Sequence, residues 1–111
     1  VRNIEISKTF RALLRHHYKS LRTTSQFAAK MNITASHLND TVKSVTGFPV
    51  TYHIQQELIR EAQRLLCSSD QTIMEIAGAL GFDDTKYFTR LFSKVSGVAP
   101  GKYRKDKSQV L

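Results

Sequence analysis

The sequence predicts an all-α fold in which two helix-turn-helix subdomains are joined by a long linker helix. Three observations predict it. Phe10, Leu13, Leu14, Tyr18 and Leu21 fall three and four residues apart, the stripe of an amphipathic helix. No stretch alternates apolar with polar residues as a half-buried strand does. The chain also repeats itself, and each copy has the form of a short helix, a tight turn and a second helix.

The periodicity predicts helices over 3–20, 25–31, 35–45, 50–67, 73–80 and 85–95. Breaks fall at Gly47, Phe48 and Pro49 and again from Gly97 to Pro100. Thr72 followed by Glu75 has the spacing of a capping box, in which hydroxyl and carboxylate satisfy otherwise orphaned amides, and Thr34 and Asp84 stand where N-caps are needed. The segment Lys102 to Lys107 is mostly charged and reads as a fraying, solvated tail.

The repeat is found by sliding the chain against itself. Leu38, Val42, Val45, Thr46 and Gly47 match Phe88, Phe92, Val95, Ser96 and Gly97 at an offset of 50. Upstream, Phe27, Ala28, Met31, Asn32 and Ile33 match Ile76, Ala77, Leu80, Gly81 and Phe82 at an offset of 49, which makes Asp83 the candidate insertion. Asn32 and Gly81 can both take the left-handed backbone that the turn requires. The organisation is therefore one domain over 1–111, with a first helix-turn-helix at 24–46, a linker helix at 50–67 and a second helix-turn-helix at 72–96.

Composition narrows the class of partner. The chain has 111 residues, with 17 Lys and Arg against 9 Asp and Glu, a formal charge of +8 and a pI near 9.9. Such a surface suits a phosphate polyanion, because each neutralised phosphate releases condensed counterions. No apolar run approaches the ~20 residues a bilayer requires, and no charged-then-apolar leader opens the chain, so the expectation is a cytoplasmic protein without membrane contact. Cys67 is the only cysteine, which excludes an internal disulfide and a cysteine-based metal site; it is expected to pack at a helix end.

In a helix-turn-helix the first helix braces the second, whose exposed face enters the major groove of DNA. Each second helix must then carry one apolar and one polar face. On a helical wheel Leu38, Thr41, Val42 and Val45 share one side, with Ser36, Asn39, Asp40 and Lys43 opposite. In the second copy Phe88, Leu91, Phe92 and Val95 lie inside, with Lys86, Thr89, Arg90 and Ser93 outside. Arg90 can donate two hydrogen bonds to guanine and Lys86 can reach guanine or phosphate, while Asn39 can pair with adenine. Asp40 is repelled by phosphates unless it accepts from a cytosine amine or is neutralised by a basic neighbour. Lys43, Thr34, Thr89 and Lys94 are the expected phosphate contacts. The linker helix, at 1.5 Å per residue, spans ~26 Å, comparable with the ~34 Å separating successive major grooves on one face of B-DNA.

These positions resemble the C-terminal DNA-binding domain of the AraC/XylS family of bacterial transcriptional regulators over nearly the whole chain. The resemblance rests on Ile76-Ala77, Leu80-Gly81-Phe82, Tyr87-Phe88, Phe92, Gly97, Pro100 and Tyr103-Arg104, with Glu61-Ala62 and Leu65-Leu66 in the linker helix. It implies about seven helices and base contacts at Ser36, Asn39, Asp40, Thr85, Lys86 and Arg90. It also implies RNA polymerase as a partner in activation, double-stranded DNA at the bacterial nucleoid, and a separate N-terminal sensor and dimerisation domain. The chain opens on Val1 without an initiator methionine, which suggests a domain cut from a longer regulator.

Other chemistries find little footing. His16, His17, His37 and His53 have no metal-ligand spacing, no cofactor motif is present, and Ser68, Ser69 and Asp70 lack a histidine base. The expectation is a protein without catalytic, cofactor or metal site. The alternative to a DNA reader is a basic helical module that binds acidic proteins.

Overall fold

The computed structural model describes residues 2–108. They form seven helices and no strand: α1 (Arg2–His17), α2 (Thr24–Lys30), α3 (Ala35–Thr46), α4 (Val50–Ser68), α5 (Ile73–Ala79), α6 (Thr85–Ser96) and α7 (Pro100–Ser108). The chain divides into two compact units within α4, between Glu57 and Leu58. Helices α2 to α6 lie within one residue of the expected bounds. Val1 lies outside the described residues.

Two expectations are corrected at the ends of the chain. The first helix stops at His17 instead of residue 20, because the amides of Ser20 and Leu21 both turn back onto the His17 carbonyl, at 3.0 and 2.8 Å. The segment 102–107 does not fray but lies inside α7. Pro100 opens that helix with its φ already set and no amide to satisfy, and the Tyr103 ring packs edge-on against Phe92, with centroids 5.5 Å apart. This aromatic contact helps to anchor a segment whose composition is otherwise that of a solvated tail.

In the first unit α1 buries Ser7, Phe10 and Leu14. Phe10 meets Phe27 of α2 edge-to-face at 5.3 Å, and Leu38 and Val42 of α3 with Val50 and Ile54 of α4 complete the core. A capping box starts α2: Thr23 Oγ1 accepts from the Gln26 amide and Gln26 Oε1 accepts from the Thr23 amide, both at 3.1 Å. Asn32 then takes φ 58°, and the Ile33 amide closes on the Ala28 carbonyl at 3.1 Å. Thr34 caps α3 through the His37 amide, and Gly47 ends it at φ 87°. Each such N-cap stabilises its helix by about 1 kcal/mol. Val45, expected inside, is 41% exposed. It points to the same side as Leu38 and Val42, but near the end of α3 that side is only partly covered.

The second unit repeats these devices. Thr72 and Glu75 form the expected capping box of α5, Gly81 takes φ 88°, and the Phe82 amide closes on Ala77 at 2.9 Å. Asp84 caps α6 through the Lys86 amide, and Gly97 ends it at φ 85°. The offset is 49 up to Phe82 and 50 from Asp84, so Asp83 is the extra residue. Leu58, Ile59, Ala62 and Leu66 of α4 pack with Ile76, Leu80, Phe88, Leu91 and Phe92 in the core. Gln63 Nε2 donates to Ser96 Oγ at 2.9 Å, tying α4 to the end of α6. Cys67, expected to pack, is exposed; it lies about 130° around α4 from the centre of the stripe formed by Leu58, Ile59, Ala62 and Leu66.

His53 gives the first unit a pH dependence. Its ring is 8% exposed, shares a 2.9 Å hydrogen bond between Nε2 and Thr46 Oγ1, and touches the rings of Phe10, Phe48 and Tyr52. Burial lowers its pKa below the ordinary 6.5 and the positive Arg11 lowers it further, against a hydrogen bond to the Phe48 backbone that raises it. As pH falls through 6.5 the unfolded chain takes up a proton that the folded unit refuses. Stability is therefore full above 6.5 and declines below it, by at most about 1.4 kcal/mol per pH unit. Thermal melts between pH 7.5 and 5.5 should show this slope, and His53→Gln should flatten it.

Candidate nucleic-acid interface

A face that reads DNA must be polar, exposed and held by a buried opposite face. Both α3 and α6 meet this requirement. On α6 the side of Phe88, Leu91 and Phe92 is buried, while Lys86, Arg90 and Lys94 are exposed. Spaced at i, i+4 and i+8, these three cations stand above one another on successive turns. Thr85 and Thr89 are half-buried on the flank. On α3 the expected reading residues Ser36, Asp40 and Lys43 are exposed.

The repeat aligns Asp40 with Arg90 and Ser36 with Lys86, so the two faces differ most where the charges sit. The first carries a carboxylate at the place where the second carries a guanidinium. The second is the stronger anion binder.

Asn39 has a structural task that the wheel did not reveal. It is half-buried, and its Oδ1 accepts the Val50 amide at 3.0 Å, satisfying the first donor of α4. The equivalent of Val50 is Pro100, which has no amide to satisfy, and the equivalent of Asn39 is Thr89. Bidentate pairing of Asn39 with adenine would have to share the oxygen that starts α4.

The helix N-termini also differ. Thr34 caps α3 with a neutral hydroxyl, 3.0 Å from the His37 amide. Asp84 caps α6 with a carboxylate, 2.9 Å from the Lys86 amide. A helix N-terminus attracts phosphate through free amides and a positive dipole end, and a resident carboxylate opposes both.

Sequence reasoning missed one further residue. Arg104 of α7 donates from Nε to the Leu66 carbonyl at 3.0 Å and from an Nη to the Ser69 carbonyl at 3.1 Å. It closes the end of α4 and holds α7 onto the second unit. The only sequence signal was its place in the family pattern.

Residues 27–106 match the family described as "Helix-turn-helix domain". The chain is 38% identical over 93 residues to the MmsAB operon regulatory protein of Pseudomonas aeruginosa, a match covering 84% of this chain and 30% of that protein. Its fold is that of a transcriptional regulator with an AraC-type DNA-binding domain from Chromobacterium violaceum, with a TM-score of 0.86 at 17% identity over 95% of this chain and 94% of that one. The chain is an AraC-type helix-turn-helix domain. The C-terminal domain of AraT, a response regulator from Geobacillus stearothermophilus, superposes with a TM-score of 0.85 at 28% identity, covering 91% of this chain and 84% of that one. AraC-type domains bind DNA sequence-specifically in transcription regulation, and α3 and α6 occupy the second-helix position of the two motifs. The chain spans only about a third of the length of its Pseudomonas relative. No helix among the described residues is long and apolar enough to cross a membrane.

Proposed function

We propose that α3 and α6 read one duplex site unequally, with Lys86 and Arg90 as the anchor. The observation that carries this is the column of Lys86, Arg90 and Lys94 on a helix whose other side is buried. Arg90 reads a guanine, Lys86 a guanine or a phosphate, and Thr85 the base beside them. Ser36, Asp40 and the amide of Asn39 tune the choice in the other half-site. Lys43, Thr34, Thr89 and Lys94 bind phosphates and fix register. Two readers on one chain predict a footprint of about two helical turns. The regulator of which this domain is part then positions RNA polymerase as an activator at the nucleoid, under control of a separate sensor domain.

Selection from a random duplex pool tests the reading. Arg90→Ala should weaken binding to the selected site by about 1–3 kcal/mol and relax preference at one base position, whereas a phosphate contact such as Lys94→Ala should weaken all sequences alike. Equal affinity of the native domain for the selected site and for random duplex at physiological salt would overturn it.

A further inference from the structure

The first unit carries a basic surface that the DNA-reading faces do not use. Lys8, Arg11 and Arg15 line a shallow depression of about 390 Å³ along α1. They lie on adjacent turns, and none makes an ion pair among the described residues. Beside them Phe10, which precedes Arg11 in α1, meets the His53 ring edge-on at 6.2 Å, and the His53 ring touches both Phe48 and Tyr52. Those two rings stack on each other at 4.1 Å and 14°. Phe48 is nevertheless 46% exposed, and Val45, three residues before it, is 41% exposed.

Neither half of this surface is explained by the fold. A stacked aromatic pair left half in water and an unpaired row of three cations both cost stability in an isolated unit. Exposed aromatic residues beside arginines are the composition of binding hot spots. The duplex read by α3 is not the occupant, because α1 packs against the buried side of α3, where Leu38, Thr41 and Val42 lie. The outer side of α1 is turned away from Ser36, Asp40 and Lys43. A second copy does not fit either: the chain has 9 acidic residues against 17 basic ones, and its longest acidic run is Asp83-Asp84.

We infer that Lys8, Arg11 and Arg15, together with Phe48 and Tyr52, form a docking surface for an acidic amphipathic helix of a partner protein. Carboxylates on such a helix meet the three cations, and its apolar side chains cover the stacked rings. Charge complementarity steers the encounter and the aromatic pair holds it.

The test is fluorescence anisotropy of the whole 111-residue chain with a labelled acidic peptide about five helical turns long, bearing Leu and Phe at spacings of three and four. Saturable binding is expected. Triple reversal of Lys8, Arg11 and Arg15 to Glu should weaken it at least about tenfold, as should Phe48→Ala or replacement of the peptide's Leu and Phe by Ala. Affinity for a selected duplex, measured at physiological salt where charges away from the reading side are largely screened, should fall much less than affinity for the peptide. Neutral variants Lys8→Gln and Arg11→Gln, with circular dichroism as a fold check, give the same ordering if the reversal perturbs α1. Three results overturn the inference: peptide affinity unchanged in the variants, equal binding of the alanine peptide, or a loss of duplex affinity as large as the loss of peptide affinity. The last would make the stripe part of the DNA interface.

Discussion

Phe92→Ala is expected to destabilise the second unit by about 3–5 kcal/mol, the usual cost of emptying an aromatic site in a packed core. Phe92 is fully buried. Its ring meets Phe88 of the same helix at 6.0 Å and Tyr103 of α7 at 5.5 Å, so it is the hinge on which α6 and α7 share one core. The cavity cannot close by a simple side-chain shift, because both neighbours are aromatic and held at their own ends. Total stabilities of small domains are ~5–15 kcal/mol, so the loss is a large part of what the unit has. Amide exchange checks the result and its location. Protection should collapse in α5, α6 and α7 and persist in α1 and α3, whose core is built on Phe10 and Phe27. Uniform loss along the chain would show instead that the two cores unfold as one.

The same residues show which parts of the fold a sequence exposes. Phe88 and Phe92 were legible as core because helical spacing fixes direction, and the turns were legible because Asn32, Gly47, Gly81 and Gly97 occupy places where the backbone is left-handed. The repeat added the insertion at Asp83. Direction is not contact, however, and that accounts for Val45. It points inward on any wheel, but what covers it is a matter of where the other helices end. Cys67 is the converse, a residue whose small size suggested packing although its angle on α4 faces solvent.

The candidate site was legible to the same depth. Lys86, Arg90, Ser36 and Asp40 are exposed where the wheel put them. The second task of Asn39 was not visible, because the amide it satisfies belongs to Val50, eleven residues away across a turn. One clue was present: the repeat replaces Val50 by Pro100 and Asn39 by Thr89 together, as a donor and its acceptor should be lost together. The second capping box, Thr23 with Gln26, was readable in the same way from its match to Thr72 and Glu75. The surface of Lys8, Arg11 and Arg15 lay outside the repeat, where no internal comparison could single it out.

The Arg104 contacts yield the second large effect. A hydrogen bond to a charged group is worth about 1.5–3 kcal/mol where water is partly excluded. Arg104 is half-buried, and its two bonds reach carbonyls at the end of α4, where the helix dipole favours a cation. Arg104→Ala should therefore cost about 2–3 kcal/mol. It should also release α7, which would then be held onto the unit by the Tyr103 ring and the buried Pro100, while the exposed Lys102–Asp106 ion pair at 3.2 Å lies within α7 itself. An exposed pair of that kind contributes little. Arg104→Lys separates charge from shape. A lysine keeps the favourable charge at the helix end but is a point donor on a flexible stem, unable to span Leu66 and Ser69 with the fixed fork of a guanidinium. It should recover less than half of the lost stability in a chemical denaturation series. Full recovery would mean that Arg104 acts only through its charge on the α4 dipole, and the two-carbonyl geometry would then be incidental to how α7 is held.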